Sequence, residues 1–196
     1  IVIDLGAGTS YNTVDFFLLA DSQLMVVIPE PTSIENAYRF IKNSFFRQIF
    51  HNSKNFRLKS VVTPILRKDN PQKVNTPKEL IDYLNKLGGK STVFVEEQLQ
   101  IFRPKIILNQ VRTERDKKVG RAMKTACSKY FNLDMTFLGY ISEDESVWKS
   151  VLDRKPIAVS HPDCVPMQQL KTICSDILLE ETESAAKNNL LSQLTL

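Results

Sequence analysis

The stretch Ile1-Val-Ile-Asp-Leu-Gly-Ala-Gly-Thr-Ser-Tyr-Asn-Thr-Val-Asp-Phe16 constrains the fold more than any other part of the chain. Ile1 to Ile3 are all apolar and β-branched, which predicts a short strand buried on both faces. Asp4 falls where that strand would end, and Gly6-Ala7-Gly8 follow at once. Two glycines beside a carboxylate suit a backbone that turns sharply or lets a ligand come close. From Asn12 to Ala20, the spacing of Val14, Phe17 and Leu18 predicts a helix. Strand, acid, glycine turn and helix in succession are how an open α/β sheet presents groups at the carboxyl edge of its strands. A lone Gly-x-Gly also occurs as a turn with no ligand, so the rest of the chain has to carry the argument further.

It does so by repeating the strand-then-helix order. Leu24 to Ile28 reads as a second buried strand, turned by Pro29-Glu-Pro-Thr-Ser33. Thr32-Ser-Ile-Glu35 has the form of a capping box opening a long helix. Ile34, Ala37, Tyr38, Ile41, Phe45 and Ile49 make its sheet-facing stripe. Phe40, Phe46 and Phe50 fall off that stripe and call for a second cover, which residues 51–90 are long enough to supply. Within them, Leu58, Val61, Val62 and Ile65 predict a helix that Pro64 ends or bends. Thr76-Pro-Lys-Glu79 starts another, with Leu80, Leu84 and Leu87 inward and Gly88-Gly89 as its stop. A helix over 92–102 places Val95, Leu99 and Phe102 on one face, so 51–102 is expected to be a helical elaboration on the sheet.

Lys105 to Asn109 is the third predicted strand and Met135 to Ile141 the fourth. The helix between them, 112–130, turns Val119, Met123, Cys127 and Tyr130 inward. Its outer face carries Arg115, Lys117, Lys118, Arg121, Lys124 and Lys129, and reads as a solvated helix surface. No aromatic residues interleave with those cations, which argues against a single-strand nucleic-acid platform without excluding nucleic acid altogether. Val147, Val151 and Leu152 are expected in the core of a short helix over 146–152, with Trp148 off the stripe. Ile157 to Val159 forms a small extra segment, and Pro166 to Leu179 a closing helix through Leu170, Ile173, Cys174 and Ile177. The expected architecture is α/β: a mostly parallel sheet flanked by helices, occupying residues 1–180, with a tail at 181–196.

With 196 residues, 42% of them hydrophobic, the chain can bury one sizeable core. A net charge of +4 permits acidic partners but does not demand nucleic acid. Cys127, Cys164 and Cys174 are odd in number and lack metal-site spacing with His51 and His161, so reduced thiols are expected. No apolar run reaches the roughly 18 residues of a membrane span, and nothing reads as a signal peptide.

Four blocks carry a family resemblance. Ile1 to Lys42, with Asp4, Gly8, Ala20-Asp21, Pro29-Glu-Pro-Thr-Ser33 and Ala37-Tyr38, is similar to the MinD/ParA/FlhG family of P-loop ATPases. So are Ile106-Ile-Leu-Asn-Gln-Val111, Phe137-Leu-Gly-Tyr-Ile-Ser-Glu-Asp144 and Pro156-Ile-Ala-Val159, in that order. The resemblance implies a P-loop NTPase fold whose glycine-rich Walker A loop lies upstream of Ile1, so the chain would be the C-terminal part of that domain. It implies a slow ATPase switch that binds ATP or ADP with Mg2+, dimerises when ATP is bound, and positions flagella, division sites or replicons. Asp4 would be the Walker B acid holding Mg2+ through water, and Gly8 the switch glycine at the γ-phosphate. Pro29 and Glu30 would lie where a partner subunit meets the nucleotide. Asn109 would meet adenine, and the loop with Ser142 and Asp144 would lie against adenine and ribose.

The resemblance further implies a cytoplasmic protein, or one peripheral at the inner membrane, with a protein partner or membrane surface as its target. Relatives reach the membrane by a C-terminal amphipathic helix, but this tail has one lysine, Lys187, after three glutamates, so a frayed or partner-docked tail is the expectation. Gly88-Gly-Lys-Ser91 mimics the end of a phosphate loop but follows a helix instead of a strand, and residues 1–196 alone are expected to be inactive. Two alternatives stand beside this reading. A Rossmann methyltransferase would use Asp-Leu-Gly-Ala-Gly-Thr for S-adenosylmethionine, but Ser10 replaces its last glycine and Pro29 stands where a ribose-binding acid is needed. A nucleotide-free scaffold of the same fold is the other.

Overall fold

The computed structural model describes residues 1–66, 70–89 and 91–194, the side chains of 180, 181 and 183–194 excepted. At its centre are three parallel strands, β1 (Leu24–Val27), β2 (Lys105–Val111) and β3 (Thr136–Ser142), in the order β1-β2-β3. Parallel neighbours need long crossovers. The first is made of α2 (Pro31–Asn52), α3 (Phe56–Leu66), α4 (Pro77–Lys86) and α5 (Thr92–Ile101). The second is α6 (Glu114–Ala126), which runs on into a π-helical turn at Cys127–Phe131. Before β1 comes α1 (Tyr11–Leu19); after β3 come α7 (Glu145–Leu152), α8 (Ile157–Ser160) and α9 (Val165–Leu194). The architecture is thus α/β, a parallel sheet flanked by helices.

β2 is the innermost strand, and its run Ile106-Ile107-Leu108 is buried on both faces, as a central parallel strand requires. β1 is an edge: Met25 and Val27 are buried while Leu24 and Val26 are exposed. The core gathers around α2, where Ile41, Phe45, Phe46 and Ile49 are inaccessible or nearly so. Phe45 lies 5.9 Å from both Phe46 and Phe102, ring to ring. The off-stripe phenylalanines of α2 find two covers. Phe40 meets Phe17 of α1 edge-on at 4.9 Å, and the opposite side packs on α3, α4 and α5.

Several local expectations are corrected. Ile1 to Ile3 form no strand and are exposed, pairing with none of the three strands, so Asp4 does not stand at a strand end. The long helix starts at Pro31 without a capping box: Ser33 instead accepts a hydrogen bond from the Ile28 N–H at 3.2 Å, tying the helix start to the end of β1. Thr76 caps α4 as expected, accepting from the Glu79 N–H at 3.1 Å, but Glu79 reaches past the cap to the Asn75 N–H at 2.6 Å. Leu87 lies beyond the last turn of α4 and is exposed. Tyr130 is exposed because the π-helical turn shifts the helical phase after Cys127. In α7 the expected faces are exchanged: Ser146 and Ser150 are buried, and Val147, Val151 and Leu152 face outward with Trp148. A capping box at Thr113 and Asp116, not foreseen, opens α6. The tail residues Lys187, Leu190, Leu191 and Leu194 fall outside the described side chains, and Lys90 of the phosphate-loop mimic falls outside the described residues.

Candidate functional site

All three strands run the same way, so the residues that follow them collect at one edge of the sheet. β1 delivers Pro29 and Glu30, β2 delivers Asn109 to Arg112, and β3 delivers Ser142 to Asp144. The turn after β1 is tight, with the Glu30 N–H donating to the Ile28 carbonyl at 2.7 Å. Glu30 then occupies the position before α2 without using its carboxylate as a cap, which leaves that group exposed.

The end of β2 is irregular. Its register with β3 slips between Leu108 and Val111, and Gln110 takes a left-handed φ of 55°. Asn109 supports this kink through its side-chain oxygen, which accepts the Gln110 N–H at 3.0 Å. The Asn109 side-chain NH2 has no protein partner among the described residues. Arg112 follows, paired through Nε and Nη2 with the Glu143 carboxylate, the Nη2 contact being 3.1 Å. Glu143 holds the Arg112 guanidinium more firmly in its charged form, and Glu30 adds a smaller attraction in the same direction. The three strand ends are thereby joined by charge: Glu30, Arg112 and Glu143.

At the end of β3 the polar groups are already occupied. Ser142 donates its N–H to the Gln169 side-chain oxygen at 2.7 Å, and the Gln169 NH2 donates back to the Ser142 hydroxyl at 2.9 Å. Asp144 caps α7, accepting from the Ser146 N–H at 2.8 Å, and its hydrogen bonding with Ser146 holds its carboxyl below the usual carboxylate range. Both residues shape the loop after β3.

On the other side of β1 lies the glycine turn. Residues Leu5 to Thr9 face β1 and the first turns of α2 across a groove of about 650 Å³. Leu24 to Val27, Thr32, Ser33 and Asn36 line its far side, with Phe17 and Phe40 at its apolar end. Gly8 has a φ of 124°, which an L side chain rarely adopts, although a methyl there would meet nothing within 4 Å. Its glycine is required by conformation, and its backbone is open to approach. Asp4 stands at the head of this turn, exposed and without a hydrogen bond or ion pair among the described residues. The structure thus brings Glu30 to the ends of β2 and β3 and sets Gly8 against the start of α2. Asp4 and Gly8 lie across β1 from Asn109, and Asp144 lies one strand further on.

The basic face of α6 is mostly exposed; Lys117 alone is drawn in, bonded to Glu114 and placed 5.2 Å over the Tyr140 ring. Burial pushes the Cys127 thiol up to about 12. Among the described residues no helix is long and apolar enough to cross a membrane, and no three His, Cys, Asp or Glu side chains gather as a metal cluster. No protein-family model matches the sequence, and no curated protein matches it.

Proposed function

We propose that the chain carries the magnesium-side and adenine-side walls of an Mg-ATP switch of the MinD/ParA/FlhG type. The observation that carries this reading is the groove between the Gly6–Thr9 turn and the open edge of β1, running along that strand beside the first turns of α2. A phosphate chain seated there would meet the open backbone of Gly8 on one side and the first turn of α2 on the other. Asp4 suits magnesium held through water, because Mg2+ keeps much of its hydration and takes few protein carboxylates. The free NH2 of Asn109 offers a donor to a purine edge, and Ser142 and Asp144 shape the loop beside it. Magnesium, when bound, would neutralise charge on the phosphates; the protein's part is to place it and to register loss of the γ-phosphate at Gly8.

Residues 1–196 contain no Gly-x-x-x-x-Gly-Lys-Ser/Thr, so the lysine and amide cradle that phosphoryl transfer needs are to come from a further strand and loop. The chain alone should bind ATP and adenosine with similar, weak affinity by calorimetry and hydrolyse no ATP. Asn109→Ala should remove that binding. Joined to its phosphate loop, the protein should lose Mg-dependent turnover on Asp4→Ala with no fall in Tm, since Asp4 fills no core space. Tight S-adenosylmethionine binding with none of ATP would assign the groove to a methyltransferase and overturn the proposal.

A further inference from the structure

α7 is built inside out. Its eight residues bury Ser146 and Ser150 and leave Trp148 60%, Val151 70% and Leu152 60% exposed. Positions 148, 151 and 152 have the i, i+3, i+4 spacing of one helical stripe. Val147 borders it at 39% exposed, and Val159 of the adjoining α8 is 72% exposed. The phase of this helix is fixed from its first turn, where Asp144 caps it through the Ser146 N–H and turns the serines inward. The result is an outward apolar surface on the order of 400 Å², the size of the largest patch on a typical monomer, which is often functional.

The charges around the stripe indicate what covers it. Asp144 and Glu145 stand at the amino end of α7, Glu145 also meeting Lys149 of its own helix at 3.2 Å, while Arg154 and Lys155 follow its carboxyl end beside Asp153. One end is net negative and the other net positive. A second α7 laid antiparallel would therefore set each acidic end against a basic end while stacking Trp148, Val151 and Leu152 on their own copies. That is the self-complementarity a twofold interface requires, and it also opposes the two helix dipoles. An anionic lipid surface fits less well, because Asp144, Glu145, Asp153 and Asp163 outnumber Lys149, Arg154 and Lys155 around the patch.

We infer that this face is a homodimer interface in which α7 packs antiparallel on α7 of a second copy, through Trp148, Val151 and Leu152. This contact needs no nucleotide and does not involve Pro29 or Glu30.

Trp148 is the chain's single tryptophan, so its emission reports the patch directly. Sedimentation equilibrium of the chain from about 1 to about 200 μM should show a monomer–dimer transition, with the emission shifting to the blue over the same range. Val151→Lys changes a residue already 70% exposed, so its Tm should be unchanged while dimerisation weakens at least tenfold and the emission stays red throughout. Glu145→Lys should weaken dimerisation, and the double variant Glu145→Lys, Lys155→Glu should restore it. A chain that stays monomeric with red emission across the range overturns the proposal. So does a dimer indifferent to Val151→Lys, or a blue shift seen only with phosphatidylglycerol vesicles.

Discussion

Gly120→Ala sets two opposing effects against each other, and the structure decides the sign. In an exposed helix this change would stabilise, since alanine gains about 1 kcal/mol over glycine in a helix interior. Gly120 is instead a buried residue of α6, held against β3. A methyl built there would lie 2.2, 2.4 and 2.6 Å from three carbons of the Phe137 ring. Carbon atoms normally rest about 3.5–4.0 Å apart, so the ring or the helix has to retreat by more than an ångström. Overpacking of this kind costs about 1–3 kcal/mol, and a displacement so large belongs in the upper part of that range. After the helix-propensity gain is subtracted, a net loss of about 1–2 kcal/mol remains. For a chain of this length that lowers Tm by about 2–8 °C, measurable by circular dichroism. Gly120→Ala combined with Phe137→Leu, which trims the ring, should show favourable coupling of about 1 kcal/mol or more. A Tm that rises with Gly120→Ala, or strict additivity of the two changes, would refute the close packing of α6 on β3.

Two further outcomes follow from the polar groups. Asp15 on α1 is bound bidentately by Arg47 of α2 at 2.9 and 2.8 Å, with His51 at 3.3 Å, and the Arg47 hydrogen bonds hold its carboxyl below the usual range. A lowered carboxylate stabilises above the unfolded-state range and loses that contribution as pH falls through its own, so Asp15→Asn should cost about 1 kcal/mol at pH 7, discounted for partial exposure. The difference in Tm between the two proteins should begin to shrink as pH falls below about 4, the unfolded-state range, and vanish only once pH has passed below Asp15's own lowered range; a gap that stays undiminished throughout that fall would count against the pair. Thiol titration of the native chain should find Cys174 fast and Cys127 silent until denaturant is added, because Cys174 is exposed and Cys127 is buried with its thiol pushed up to about 12.

What was legible in the sequence was whatever depends on local pattern. The apolar runs at 24–28, 105–109 and 135–141 became the three strands, and the proline-and-threonine start of α4 and the α2 stripe stand where the spacing put them. The parallel order could be expected from the helices between the strands. The bulge at Gln110 and the Ser33–Ile28 tie could not, because each depends on how one strand end meets its neighbours and not on side-chain periodicity. Of the candidate residues, Glu30, Asn109 and Ser142 do stand at or after strand ends, whereas Asp4 and Gly8 follow no strand. What each residue had left to offer was not legible: Ser142 and Asp144 are already taken by Gln169 and by α7, whereas the Asn109 NH2 and Asp4 are free of partners among the described residues.

α7 and the N-terminal arm show where such reasoning reaches its limit. Periodicity identifies an apolar stripe, but it does not say which layer the stripe will meet. Val147, Val151 and Leu152 have the spacing of core residues, and Ile1 to Ile3 have the composition of a buried strand, yet both are exposed. The two groups flank opposite ends of a three-strand sheet, the arm beside the β1 edge and α7 after β3. Hydrophobic burial is a property of the assembled surface, so a sequence shaped for burial that stays in water is unsatisfied at the level of this chain alone. The β1 edge asks for another strand, because a strand edge presents unpaired backbone groups as well as apolar side chains. The α7 face asks for a helix, because its backbone is already satisfied and only side chains are on offer. The two exposed regions therefore call for different chemistry, and a variant that blocks one should leave the other competent.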